Sequence, residues 1–387
     1  MRSFTLHIPT RFVFGDDNLD RAGKEIRPLA KKVLVVCSSG SVVRTGILKR
    51  LIRSLEVNGI IADVYDQVMP NPRVSMVDKG GKLAADLKVE AVIGFGGGSA
   101  MDAAKGVAIV AANGGSIWDY VHTNGMANHS LPVIAIPTLS ATGSEGNAFG
   151  VVTHDESAQK ISFISPAVKP VLSIIDPKLT MSVPEDYFRD GVVDVIAHSI
   201  EAYISSKDYA PLNDRFSLAL IKTAVEMGEK ILLEPENSEY RGVFAWTAMM
   251  ALNGINDAGR EGPYPVHTLE HPLSGKYDLS HGRGLALLLP RYLRYFQEDK
   301  AEKIIAFGQA VFDSSIQNAG EALTAFESWL EKFQRRLTFQ SLNIPQNDIP
   351  ALTDMVFEMM ANRKGNISGP RQMNRDDVTA IYLKCLT

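Results

Sequence analysis

Through about residue 180 the chain switches repeatedly between two kinds of stretch, and this alternation limits its fold more than any other feature. "KVLVVC" (32–37) is a short β-branched run that ends in the turn "SSGS". In "TGILKRLIRSLEVNG" (45–59), Ile47, Leu48, Leu51, Ile52 and Leu55 fall on one helical stripe. Strand character returns in "IIADVYD" (60–66), and helical character in "SMVDKGGKLAADLKV" (75–89). "EAVIGFGGG" (90–98) reads as strand and turn, "SAMDAAKGVAIVAAN" (99–113) as helix, "LPVIAIPT" (131–138) as strand. "KPVLSIIDP" (169–177) is the last strand of this half. Strand–helix–strand alternation predicts a parallel sheet with helices on both faces.

After Pro184 the texture changes. Ser182 and Glu185 stand in capping-box spacing with Pro184 in the first turn, which predicts a helix start. "DRFSLALIKTAVEMGEKILL" and "GEALTAFESWLEKFQRRL" are long helical patterns. The fold class is therefore α/β plus all-α, with a parallel-sheet domain at 1–180 and an all-helical domain at 181–387. The N-terminal "RSFTLHI" reads as an edge strand able to pair with a second copy.

A length of 387 residues suits two or three domains, and 45% hydrophobic with 22% charged residues is ordinary globular chemistry. The net charge of −4, with no long basic run, argues against nucleic acid or an anionic membrane as partner. Two distant cysteines, Cys37 and Cys385, do not make a disulfide framework and fit a reducing compartment. "MRSFTLHIPTRF" lacks the apolar core of a signal peptide, and no run approaches eighteen apolar residues. The expectation is a cytoplasmic protein.

"GFGGGSAMDAAKG" (94–106) follows a strand and opens a helix. Gly96, Gly97 and Gly98 remove every Cβ where the backbone must come close to something. Ser99 is the expected N-cap, with Asp102 in capping-box spacing. A helix N-terminus favours an anion such as phosphate, but a plain tight turn needs the same residues, so spacing leaves both readings open. "PTLSATGSEGN" (137–147) places Thr138, Ser140, Thr142 and Ser144 after a strand, where parallel sheets bind ligands.

Three of the eight histidines lie in "HTLEHPLSGKYDLSH" (267–281), and His198 lies in "VVDVIAHSIEAY". Asp194 and His198 are four apart on a predicted helix, as are His267 and His271; His281 follows ten residues later. One carboxylate and several imidazoles suit Zn²⁺ or Fe²⁺. Glu201 shares the face of His198, as ligand or as partner of a ligand. His7, His122, His129 and His154 have no partner spacing and read as structural.

These motifs resemble the iron-containing, group III alcohol dehydrogenases, and within them the butanol dehydrogenase and NADPH-dependent aldehyde reductase branch. The resemblance covers essentially the full length. It rests on "PNP" (70–72), "GGGSAMDAAK" (96–105), "PTLSATGSE" (137–145), "DVIAHSIEAY" (194–203) and "HTLEHPLSGKYDLSH". It implies a dehydroquinate synthase-like architecture, a Rossmann-like dinucleotide-binding domain followed by a helical domain. It implies Asp194, His198, His267 and His281 as metal ligands and His271 as a catalytic histidine. The cofactor positions it implies are Ser38, Ser39, Gly40, Asn71, Gly97, Gly98, Ser99, Asp102, Thr138, Leu139, Thr142, Asn147 and Lys160. The substrate class is short to medium aldehydes and primary alcohols, and a homodimer is common in this branch.

Members that prefer NAD(H) tend to carry an acid after the first strand, on the ribose 2′-hydroxyl. Here Ser39 stands there, leaving room for a 2′-phosphate that Arg44 or Lys160 can neutralise. The expectation is NADP(H) over NAD(H), with one divalent metal, Fe²⁺ or Zn²⁺. A glycerol dehydrogenase-like polyol oxidoreductase is the nearer alternative. A sugar-phosphate cyclase of the dehydroquinate synthase type is the alternative from another class, and a non-catalytic metal- or nucleotide-binding regulator the third. Phe149, Trp246 and Met249 are candidates for an apolar substrate wall, with core packing as the competing reading for each.

Overall fold

The computed structural model describes residues 1–121, 127–360 and 365–387. His122 lies outside them. The chain divides into two compact units. One comprises His7–Pro184 with Leu233–Asn253, the other Met1–Leu6, Glu185–Leu232 and Gly254–Thr387.

In the first unit, strands β1 (Arg11–Phe14), β2 (Lys32–Val36), β3 (Ile61–Tyr65), β4 (Ala91–Gly96), β5 (Val133–Pro137) and β8 (Leu172–Ile175) form a parallel sheet. Their order is β1-β8-β5-β4-β2-β3. The helices are α1 (Ala22–Ile26), α2 (Ser41–Arg44), α3 (Ile47–Val57), α4 (Val74–Leu87) and α5 (Gly98–Asn113). Side chains alternate across a strand, so β2 feeds two cores at once. Val33 and Val35 pack with Leu51 and Leu55 of α3, while Leu34 and Val36 pack with Val107 of α5. The near-continuous apolar runs of β2, β4, β5 and β8 follow from burial on both faces. From β2 the chain runs outward to β3, then returns to β4 on the other side of β2. The strand order thus reverses between β2 and β4, the switch point where such sheets take ligands. A two-stranded antiparallel hairpin, β6 (Phe149–Thr153) with β7 (Lys160–Ile164), has no counterpart in the sequence reading.

The second unit contains α6 (Glu185–Ser205) and α7 (Pro211–Leu233), whose last residue belongs to the sheet-bearing unit. α8 (Ser238–Ala251) belongs there too: its Ala245 and Met249 pack with Ile175 of β8, and Trp246 meets Phe12 and Phe14 of β1 edge-on. The helical unit continues with α9 (Pro265–Tyr277), α10 (His281–Tyr295), α11 (Ala301–Val311), α12 (Ala319–Lys332), α13 (Ile349–Met360) and α14 (Arg375–Leu383). Residues 1–10 form no strand, contrary to the edge-strand expectation for "RSFTLHI". Their start is held elsewhere: the Arg2 amide bonds Gly259 O, and its guanidinium pairs with Asp208 and Glu261. No helix among the described residues is long and apolar enough to cross a membrane. Cys37 and Cys385 are free and buried.

Candidate metal centre and nucleotide turn

Asp190, Asp194, His198 and Glu201 recur along α6 at intervals of four, four and three, so they share one face. All four are at most 3% exposed. Burying polar groups in a helical core is costly unless each finds a partner. At one end, Glu201 receives α9: its Oε2 accepts the Val266 amide at 2.5 Å and its Oε1 meets His267 Nδ1 at 2.5 Å. A carboxylate at a helix N-terminus satisfies an orphan amide and suits the dipole. At the other end, Asp190 receives α10, accepting the Ser280 hydroxyl at 3.0 Å. A Cβ on Gly282 would lie 2.2 Å from Asp190 O, so only glycine lets α10 seat this closely on α6.

Between these two anchors the imidazoles converge on one oxygen. Asp194 Oδ1 lies 3.5 Å from His198 Nε2, 3.7 Å from His267 Nε2 and 4.0 Å from His281 Nε2. Donor atoms of Asp194, His267 and His281 all lie within 4.8 Å of one another. Ligands each about 2.1 Å from one cation stand roughly 3–3.5 Å apart, so the cluster is nearly closed around a single ion. Asp194 Oδ1 and His267 Nε2 are buried with no hydrogen-bond partner. Two orphaned atoms aimed at a common point are what a dication would satisfy, and the donor set fits one.

The electrostatics agree. Burial would raise the Asp194 carboxyl, but His198, His267 and His281 hold it down at about 2. Burial lowers His198 to about 4, which keeps it neutral and able to ligate. At His267 burial opposes the charge, yet Glu201 and Asp194 outweigh it and lift the imidazole to about 10. Proton and cation therefore compete for this ring. His198 joins this close set through Asp194, and His271 is buried on α9 with its ring centroid 6.0 Å from that of His281.

The sequence reading left Glu201 open and missed Glu270. Glu270 bonds His281 Nδ1 and accepts the Ser274 hydroxyl.

In the sheet-bearing unit, most of the expected nucleotide residues follow β2, β4 and β5, while Asn71 follows β3 and Lys160 opens β7. Ser38 bridges to Gln67, Ser39 is exposed, and Gly40 precedes α2. Asn71 is buried with a left-handed backbone (φ 51°). Helix α5 begins at Gly98 with Gly97 as N-cap, so Ser99 is not the cap. A Cβ on Gly98 would lie 2.5 Å from Thr142 Cγ2, which locks this turn to the loop after β5. Asp102 is not a capping-box acid. It accepts from Ser144 Oγ at 2.7 Å and from the Val151 amide at 3.1 Å, because the loop and hairpin lie against its helix face. Lys105 is fully buried and donates to Ser144 Oγ, Asn147 Oδ1 and Phe149 O at 2.8, 2.7 and 2.6 Å. Thr138 is buried and Leu139 half-buried on that loop, and Lys160 begins β7, buried.

A glycine turn at the switch point, and a helical unit in which three imidazoles face one carboxylate, fit one class: metal-dependent enzymes that use a nucleotide cofactor. The profile "Iron-containing alcohol dehydrogenase" matches residues 9–177, and "Fe-containing alcohol dehydrogenase family, C-terminal" matches 189–386. The chain belongs to the iron-containing alcohol dehydrogenase family and is an oxidoreductase acting on CH–OH groups. It is 34% identical to NADH-dependent butanol dehydrogenase B of Clostridium acetobutylicum, over 99% of this chain and all of that protein. It is 31% identical to the NADPH-dependent aldehyde reductase YqhD of Escherichia coli K12, over 92% of this chain and 94% of that one. The crystal structure of NADH-dependent butanol dehydrogenase A from Thermotoga maritima superposes with a TM-score of 0.95 at 32% identity, covering 100% and 99% of the two chains.

Proposed function

We propose that this enzyme reduces short- to medium-chain aldehydes with NADPH, and oxidises primary alcohols in reverse, with one Fe²⁺ or Zn²⁺ per chain. The observation that carries this reading is the convergence of three Nε2 atoms on the buried Asp194 carboxylate. Asp194, His198, His267 and His281 hold the cation. When bound, the metal supplies a Lewis acid for the substrate oxygen and the nicotinamide supplies the hydride. The chain's own groups do the rest. Gly97, Gly98 and Ser99 present helix N–H groups to the pyrophosphate. Ser38, Ser39, Gly40, Asn71, Asp102, Thr138, Leu139, Thr142, Asn147 and Lys160 contact the remainder of the cofactor, Asp102 and Asn147 also bracing the loop that carries Thr142. His271 delivers the proton that the product oxygen requires, since imidazole exchanges protons near neutral pH.

Preference for NADP(H) rests on Ser39, exposed at the end of β2 where an acid would meet the 2′-hydroxyl, and on the exposed Arg44 nearby in α2. Both cofactor types occur among the relatives, so kcat/KM for NADPH against NADH decides it; a ratio above one supports the assignment and a clear NADH preference refutes it. The chain is further proposed to form a homodimer, which light scattering at micromolar concentration tests. Consumption of NADPH with butyraldehyde, before and after chelation, tests the whole reading. Turnover that is absent, or indifferent to complete metal removal, overturns it.

A further inference from the structure

We propose that Glu201 and Glu270 are positioning residues that aim His267 and His281 at the cation and help to retain it, Glu201 being the more demanding of the two. The inference rests on the metal reading above and concerns how the metal is held. Each carboxylate engages the Nδ1 of its histidine, Glu201 at 2.5 Å from His267 and Glu270 in contact with His281. A carboxylate there fixes the proton on Nδ1, leaves the Nε2 lone pair facing Asp194 and makes the ring a better donor. Both acids are at most 1% exposed, so their charge is felt at short range with little screening. With Asp194 they would bring three buried carboxylates to the neighbourhood of a bound dication.

The two acids differ in what else they meet. Glu201 Oε2 accepts the Val266 amide at 2.5 Å, so both of its oxygens face N–H groups of the same turn. A glutamine at 201 must point its NH₂ at one of them. Facing His267 Nδ1, it would drive the ring proton to Nε2 and block the metal lone pair. Facing the Val266 amide, it would set two donors against each other at the start of α9. Glu270 instead meets the Ser274 hydroxyl, which also lies 3.0 Å from Leu279 O. A glutamine at 270 can give its NH₂ to the serine oxygen while the hydroxyl turns to Leu279 O. His281 then keeps its acceptor and loses only the charge.

The test is Zn²⁺ affinity of the full-length metal-free protein, by competition with a chromophoric chelator, alongside apo-protein melting. E201Q and E201A should each weaken Zn²⁺ about 10- to 100-fold, as should E270A. E270Q should be weakened less than tenfold; the Glu201 variants should also lower apo melting, because Glu201 seats α9, with the apo chain still folded at the temperature of the titration. Zn²⁺ affinity of E201Q within twofold of wild type, or E270Q weaker than E201Q, overturns the proposal. If the Glu201 variants do not fold, the Glu270 pair decides: E270A equal to wild type, or no tighter binding by E270Q than by E270A, overturns it. A wild-type chain that takes up no Zn²⁺ and no Fe²⁺ contradicts the metal reading itself, which is a different result.

Discussion

At the scale of single residues, the proposed ligands and the histidine beside them are expected to respond differently to substitution. His267 Nε2 is orphaned and faces Asp194, so His267→Ala should lose both metal and activity. His198, His267 and His281 all face Asp194, whereas the His271 ring centroid stands 6.0 Å from that of His281, so His271→Ala should retain one metal per chain and lose rate by about 10²-fold as the proton donor. Metal analysis of the purified variants together with kcat reads both, and the reverse pattern would exchange their roles. Another buried residue makes stability depend on pH. Glu145 is 2% exposed with Oε2 unpartnered, and burial lifts its carboxyl from 4.5 to about 7. Its folded pKa exceeds the unfolded one, so the folded state binds the extra proton. That stabilisation is fully present below about pH 4.5 and is lost as pH rises through about 7. The whole span is worth up to roughly 3 kcal/mol. Urea unfolding at pH 5 and pH 8 should show wild type losing stability relative to Glu145→Gln across this window; parallel curves would contradict it.

At the scale of elements, α6 is a single strut that seats α9 with Glu201 and α10 with Asp190, and holds two ligand positions between them. Gly282→Ala, next to His281, therefore acts through the seat of α10 on α6 and not on a donor atom. Its methyl would strike Asp190 O, at a cost of about 1–3 kcal/mol or more, and push His281 outward. Chemical unfolding should show the loss, and Zn²⁺ competition a weaker site. In the sheet-bearing unit, Lys105→Met would remove three bonds to the 144–149 loop and leave Asp102 without its buried cation. Destabilisation of about 3 kcal/mol and weaker NADPH binding by fluorescence titration are expected.

The elements were legible where period and length agreed: β2 to β5, α3 to α6, and the i, i+4 pairs Asp194–His198 and His267–His271. What was not legible depends on neighbours far along the chain. Ser99 and Asp102 have capping-box spacing, yet the contacts that decide Asp102 come from Ser144 and Val151, 42 and 49 residues away. The helical pattern of α8 carries no mark that its partner is β8 rather than another helix. Glu270 sat in plain view beside His271, but only the approach of His281, eleven residues on, shows what it does.

At the scale of the whole molecule, the polypeptide distributes its tasks. The sheet-bearing unit supplies backbone N–H groups and hydroxyls at a switch point, above the buried Lys105. The helical unit supplies buried carboxylates and imidazoles, among which a cation would displace the proton that His267 otherwise holds. Metal removal should thus lower the melting temperature of the helical unit, and restoring Zn²⁺ or Fe²⁺ should recover it in proportion to occupancy. Calorimetry of metal-free and reloaded protein checks this.

The central claim is most directly tested by counting metal bound per chain after anaerobic reconstitution, in wild type and in Asp194→Ala. One equivalent of Fe²⁺ or Zn²⁺ in wild type and none in the variant is the predicted result. Undiminished uptake by Asp194→Ala, or no uptake by wild type, would contradict it.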